Sequence, residues 1–97
     1  MTEPGDLAAG DFEAAIGDEF ALATEAGEVG VRLSSVRRSR RPRDGREPFA
    51  VLFHGPADRI LEQGIRRLGH PRLGEFDIFL VPVGLDDAGC AYEAVFA

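Results

Sequence analysis

The chain has no lysine, no tryptophan and one cysteine, Cys90. A lone cysteine excludes an intramolecular disulfide framework and a multi-cysteine zinc site, and it suits a reducing compartment. All 11 basic residues are arginine, the bias expected of a GC-rich genome. The N-terminus, Met-Thr-Glu-Pro-Gly-Asp, is acidic and lacks the basic start and apolar centre of a signal peptide. No run approaches the roughly 20 apolar residues that cross a bilayer, so no membrane role is expected. The expected location is the cytoplasm, or outside it by export without a Sec signal as part of an assembly. The formal net charge of −6 argues against general nucleic-acid binding, which depends on neutralising phosphates with positive charge.

What is present suffices for one domain. The length of 97 residues lies near the commonest domain size, and 44% of the residues are hydrophobic, enough for a core without metal or disulfides. Charge is segregated. Residues 1–28 hold eight acids and no base, whereas residues 29–46 hold seven arginines against Asp44 alone.

The longest apolar run, Glu75-Phe76-Asp77-Ile78-Phe79-Leu80-Val81-Pro82-Val83, reads as a central, mostly buried strand. Upstream, Asp11 to Gly17 predicts a short helix with Asp11 as N-cap and Gly17 just past its end, and Phe12 and Ile16 plug one end of a sheet. Phe20 to Ala23 and the alternating Val29, Val31, Leu33 and Ser35 form a hairpin around Glu25-Ala26-Gly27-Glu28. The apolar parity changes at Val36, which predicts a bulge or strand end there. Phe49, Val51 and Phe53 make a buried strand that Gly55-Pro56 ends. For residues 56–70 a helix from Pro56 competes with a strand over Gln63 to Leu68, and the residues alone leave both open. A turn over Gly69 to Gly74 leads into the central strand. Asp86-Asp87-Ala88-Gly89 then joins that strand to a final one over Ala91 to Phe96.

The expected architecture is mainly β: a small antiparallel barrel or two-layer sandwich of about six strands with a short N-terminal helix. Residues 1–10 are expected to be a flexible N-terminus, residues 11–97 a single β domain, and residues 37–47 a mobile Arg-rich loop. On the central strand Phe76, Ile78 and Leu80 face the core, opposite Tyr92, Ala94 and Phe96. Phe79 and Val81 on its other side need cover, either from the helix or from a partner subunit.

The order Phe12, Ile16-Gly17-Asp18-Glu19-Phe20, Phe53-His54-Gly55-Pro56, Gln63-Gly64, His70-Pro71, Leu73-Gly74, Ile78 to Val83 and Tyr92 to Phe96 resembles a family of small bacterial proteins known as a domain of unknown function. The resemblance spans about residues 11–96. It implies a compact domain without known enzymatic activity, and it favours the strand over Gln63 to Leu68. Some members are encoded near phage tail-collar or tail-fibre-like proteins, which implies an accessory or assembly role. Arg66-Arg67 departs from the family's aromatic after the Gln-Gly pair.

No catalytic or metal-binding signature stands out, and neither a cofactor nor an enzymatic activity is expected. His54 and His70, with Asp77 or Glu75, are the only candidates for a metal or for acid–base chemistry, and their Gly-Pro and Pro flanks mark them rather as hydrogen-bonded turn residues. Cys90 follows Gly89 and reads as a small residue at a strand start. Ser34, Ser35 and Ser39 lack a nucleophile-elbow context. Gly55-Pro56-Ala57-Asp58 has neither the lysine nor the spacing of a phosphate loop. The sharpest remaining feature is the basic stretch Arg37, Arg38, Arg40, Arg41, Arg43 and Arg46, a candidate contact for an acidic protein surface, including residues 1–28 of another copy. The function expected is a non-enzymatic interaction or assembly module that docks on a protein partner, in a phage-tail-like assembly for example, or self-associates. The alternative is a barrel binding a small apolar ligand, with His54, Gln63 and Tyr92 as polar contacts.

Overall fold

A computed structural model describes residues 2–39 and 47–96. After a 3-10 turn (Pro4–Asp6) come α1 (Ala9–Glu13), β1 (Glu19–Thr24), β2 (Gly27–Arg38), β3 (Phe49–Gly55), β4 (Gly64–His70), β5 (Gly74–Asp86) and β6 (Gly89–Phe96). The six strands close into an antiparallel barrel in the order β1-β2-β3-β6-β5-β4. Closure leaves none of the described strands central, and β1 meets β4 over the short stretch of Ala21 and Leu22. The long apolar stretch near the C-terminus, β5, has two paired neighbours like every other strand.

The period of two in each strand sorts residues to the two sides of the barrel wall. Phe20, Leu22, Val31, Leu33, Val51, Phe53, Leu68, Phe76, Ile78, Leu80, Tyr92 and Ala94 are buried inside. Phe96, expected to share that face, is only half-buried and packs on the edge of the cluster. The parity change anticipated at Val36 is real. The β2–β3 register shifts between Leu33 and Ser35, so Ser34 is the extra residue of a bulge and Val36 returns to the core side.

Each barrel end is closed by a different device. At one end α1 inserts Phe12, fully buried, with ring centroids 5.1 Å from Phe96 and 5.8 Å from both Phe49 and Phe76. The helix starts earlier and ends earlier than its sequence suggests. Ala8 takes the cap position, and Asp11 sits inside the first turn, where its Oδ2 accepts the Ala8 N–H at 2.8 Å. A helix ending at Glu13 swings Ile16 out of the plug, and Ile16 is 48% exposed. Before it, the Thr2 N–H donates to the Glu75 carbonyl at 2.7 Å.

At the other end the chain itself forms the cover. β3 and β4 lie on opposite sides of the ring, so residues 56–63 must cross the mouth to connect them. The Tyr92 side chain rises from the core to meet that crossing. Its hydroxyl accepts the Leu61 N–H at 2.9 Å and donates to the Arg59 carbonyl at 3.3 Å. The strand over 64–70 prevails over the competing helix because Leu68 and His70 are buried at alternate positions. The turn before β5 shrinks to residues 71–73, with His70 inside β4.

Candidate interaction surface

Strand alternation that fills the interior also sets an apolar row on the outside. Ile65 on β4 lies opposite Phe79 on β5, and they are 74% and 51% exposed. Val81 lies opposite Glu93 of β6. On the same outward face of β6, Val95 is 67% exposed and pairs with Ala50 of β3. Farther along β5, Val83 and Leu85 are also exposed. Ion pairs border this face: Arg67 Nε to Asp77 Oδ1 at 3.0 Å on one side, and Arg37 Nη2 to Glu93 Oε2 at 3.4 Å on the other. The N-terminal helix leaves Phe79 exposed: its buried residues, Ala9 and Phe12, belong to the barrel core.

The arginine stretch divides. Arg37 and Arg38 belong to β2, not to a loop, and both have partners in the same chain. Arg38 is clasped by Glu13 at 2.6 Å and by Glu47 at 3.1 Å, so an acid from the N-terminal acidic stretch already neutralises the start of the basic one. The hydrogen bond from Arg38 holds the Glu13 carboxyl below its ordinary range. Arg40, Arg41, Arg43 and Arg46 lie outside the described residues.

The proposed ligand contacts are not brought together. Tyr92 is the only inward one, its hydroxyl engaged by the crossing segment, and burial pushes its phenol upward. Gln63 is exposed just before β4, and His54 faces outward because its neighbour Phe53 faces in. A groove of about 560 Å³ exists, but at the Phe12 end, between Leu7, Ala8, Arg38, Glu47, Phe49 and Phe96. Cys90 is buried at the start of β6. Arg66, opposite the inward Ile78, donates through Nη2 to the Glu62 carbonyl at 2.8 Å, while its neighbour Arg67 faces out to Asp77.

Both histidines find acids, and neither acid is Asp77 or Glu75. Among the described residues no group of three or more His, Cys, Asp or Glu side chains is placed to hold a metal. His70 Nε2 is 2.9 Å from Asp18 Oδ2, and its Nδ1 accepts the backbone N–H groups of Arg72 and Leu73 at 3.1 and 3.3 Å. Two donors aimed at Nδ1 require a lone pair there, so the ring proton sits on Nε2 and goes to Asp18. His54 is arranged differently. Its Nε2 is 2.9 Å from Asp86 Oδ2, and its Nδ1 is 2.5 Å from the hydroxyl Oγ of Ser34, the bulged residue. In both pairs the hydrogen bond with the imidazole is the main reason the carboxyl is held below its ordinary value. The Ser34–His54–Asp86 array escapes sequence inspection because its members come from β2, β3 and the end of β5. Its one visible trace is the serine pair at the parity change.

A small closed antiparallel β-barrel, plugged by a helix and carrying an outer apolar face, is the class of protein these features define. The chain belongs to the family described as a domain of unknown function (DUF6916), whose model matches residues 7–96. Comparison with curated proteins and with solved structures gives no match.

Proposed function

We propose that this domain is a non-enzymatic interaction or assembly module that docks, through the outer face of β4, β5 and β6, on a protein partner or on a second copy of itself. The observation that supports this reading is the row formed by Ile65, Phe79 and Val95, large apolar side chains gathered on neighbouring strands with most of their surface in water. Singly exposed apolar residues are ordinary; a contiguous group rimmed by charged residues is the usual mark of a protein contact. The rim here is Arg67–Asp77 and Arg37–Glu93. An accessory place in a phage-tail-like assembly, reached in the cytoplasm or after export without a Sec signal, is the setting that the family resemblance points to. The remaining arginines of the basic stretch would add contacts to an acidic partner surface.

Light scattering over a range of protein and salt concentrations tests it, together with the Phe79→Ser variant. Apolar docking gives self-association, or retention of a defined partner, that persists at high salt and is lost in F79S. A monomer at every concentration, with no partner whose retention depends on Phe79, would overturn the proposal. Association that disappears at high salt and survives F79S would move the contact to the arginines.

A further inference from the structure

We propose that Ser34 is an activated hydroxyl, an acyl-acceptor site for activated ester or thioester donors, with His54 as its general base and Asp86 as the carboxylate that orients the ring. This goes beyond the docking role and does not depend on it.

Proton placement sets the roles of the three groups. A neutral imidazole carries one N–H. Asp86, whose carboxyl is held down by His54 and by the N–H of Ala88 at 2.8 Å, is ionised at neutral pH and can only accept. The ring proton therefore sits on Nε2, facing Asp86. In the neutral ring that leaves the Nδ1 lone pair facing Ser34 Oγ at 2.5 Å, with the hydroxyl as donor. Its proton is committed to the base and its oxygen lone pairs are turned away from the ring. Nucleophile, base and orienting acid are thus in hydrogen-bond sequence, the arrangement that activates serine in acyl transfer. The ring nitrogens are used in the reverse order from the familiar serine hydrolases. Either nitrogen can act as base when the other is held by a carboxylate.

His70 shows what a purely structural histidine looks like in this barrel. It has the same carboxylate contact, but its second nitrogen is filled by two backbone N–H groups. His54 has a reactive hydroxyl in that place instead.

The fold makes the array from two irregularities. The bulge between Leu33 and Ser35 puts an extra residue on the outer face of β2, and bulges commonly re-aim side chains at functional sites. The β5–β6 turn brings Asp86 within reach because Gly89, at φ +117°, lets the hairpin end lie against β3. A Cβ at Gly89 would fall on the Gly55 carbonyl oxygen. The small Ala91 opposite His54 leaves the path to Asp86 clear. The exposures suit the roles. The His54 side chain is 9% exposed and so shielded, Asp86 is 54% exposed, and Ser34 is half-buried beside the solvent-facing Ser35.

In the step proposed, Ser34 Oγ forms a bond to the acyl carbon and the bond from that carbon to the leaving oxygen or sulfur breaks. The proton passes from Ser34 to His54 Nδ1 and then to the departing alkoxide or thiolate. No oxyanion-stabilising group is invoked, so the donors are activated ones, not amides.

The test uses 4-nitrophenyl acetate at mildly alkaline pH, followed by intact mass and peptide mapping of the whole chain. One acetyl group per chain is expected, located on Ser34, forming at least about 10²-fold faster than on the neighbouring exposed Ser35, the scale of general-base assistance. Ser34→Ala abolishes it, Ser35→Ala leaves it unchanged, and His54→Gln slows it about 10²-fold. Asp86→Asn, which keeps the side chain's shape, slows it about tenfold and covers the case in which the histidine variant fails to fold. Labelling of Ser34 no faster than Ser35, or a Ser34 rate unmoved by D86N, would overturn the proposal.

Discussion

Strand β5 presents Phe76, Ile78 and Leu80 to the barrel interior and Phe79, Val83 and Leu85 to the outside, so one strand carries two apolar faces of which only the first is covered. The inner residues meet aromatic partners, Phe76 standing edge-on to Phe12 and Phe20. The outer ones meet water and a rim of ion pairs. The same alternation that drives folding on one side therefore leaves, on the other, a surface whose burial adds nothing to the stability of the chain. Inner positions should be read out by unfolding, outer ones by association.

The deepest cut at this contrast is Phe12→Ala. It removes the ring on which Phe20, Phe49, Phe76 and Phe96 converge. A loss of about 3–5 kcal/mol in denaturant unfolding is expected, since a cavity opens where α1 plugs the barrel. A loss below about 1 kcal/mol would mean that the helix is not part of the core.

Tyr92→Phe is the next step down. It keeps the inward ring but leaves the Leu61 N–H and the Arg59 carbonyl without their partner across the mouth. About 1–3 kcal/mol of stability should be lost, with faster amide exchange at Leu61 than in the parent. Unchanged exchange there would show that the crossing segment is held by something other than Tyr92.

The wall between inside and outside is tied by Asp18–His70, Asp86–His54 and Glu13–Arg38, and in each the carboxyl is held below its ordinary value by that hydrogen bond. A depressed folded value means the unfolded chain binds protons first. The contribution is complete above the unfolded carboxyl value, near pH 4, and is lost as the pH falls through the folded one. The melting temperature of the parent should therefore decline on acidification below about pH 4, and less steeply in Asp18→Asn. Parallel profiles would remove Asp18 from the account.

Phe79→Ser is the smallest in stability and the most informative about the outer face. Unfolding should shift by no more than about 0.5 kcal/mol, while association through β4–β6 disappears. A large loss of stability would show that Phe79 serves the monomer after all.

Much of the fold was legible in the residues. Strict alternation in Val29-Gly30-Val31-Arg32-Leu33 and in Ala91 to Phe96 marks strands whichever neighbours they have, and the parity change before Val36 announced a bulge. The helix was legible as a short element but not in its bounds. A five-residue helix is set by tertiary contacts: Asp11 proved to serve the first turn, and Ile16 lost its place in the core. The site was much less legible. Which acid meets which histidine cannot be read from neighbours in sequence, since Asp18 and His70 are 52 positions apart and His54 and Asp86 are 32 apart. The arginine stretch looked free because Glu13 and Glu47 approach Arg38 only in three dimensions.

By itself the sequence determined most of the strands, the inward face of nearly all of them and the need for a closed or two-layer β structure, because alternation of apolar residues along a strand is a local pattern. Tertiary structure alone decided that the strands close in the order β1-β2-β3-β6-β5-β4, that residues 56–63 cross one mouth while Phe12 fills the other, and that Phe79 stays outside. Those outcomes depend on which strands pair and on how far a connection must reach, and pairing between distant segments leaves no mark on either segment alone.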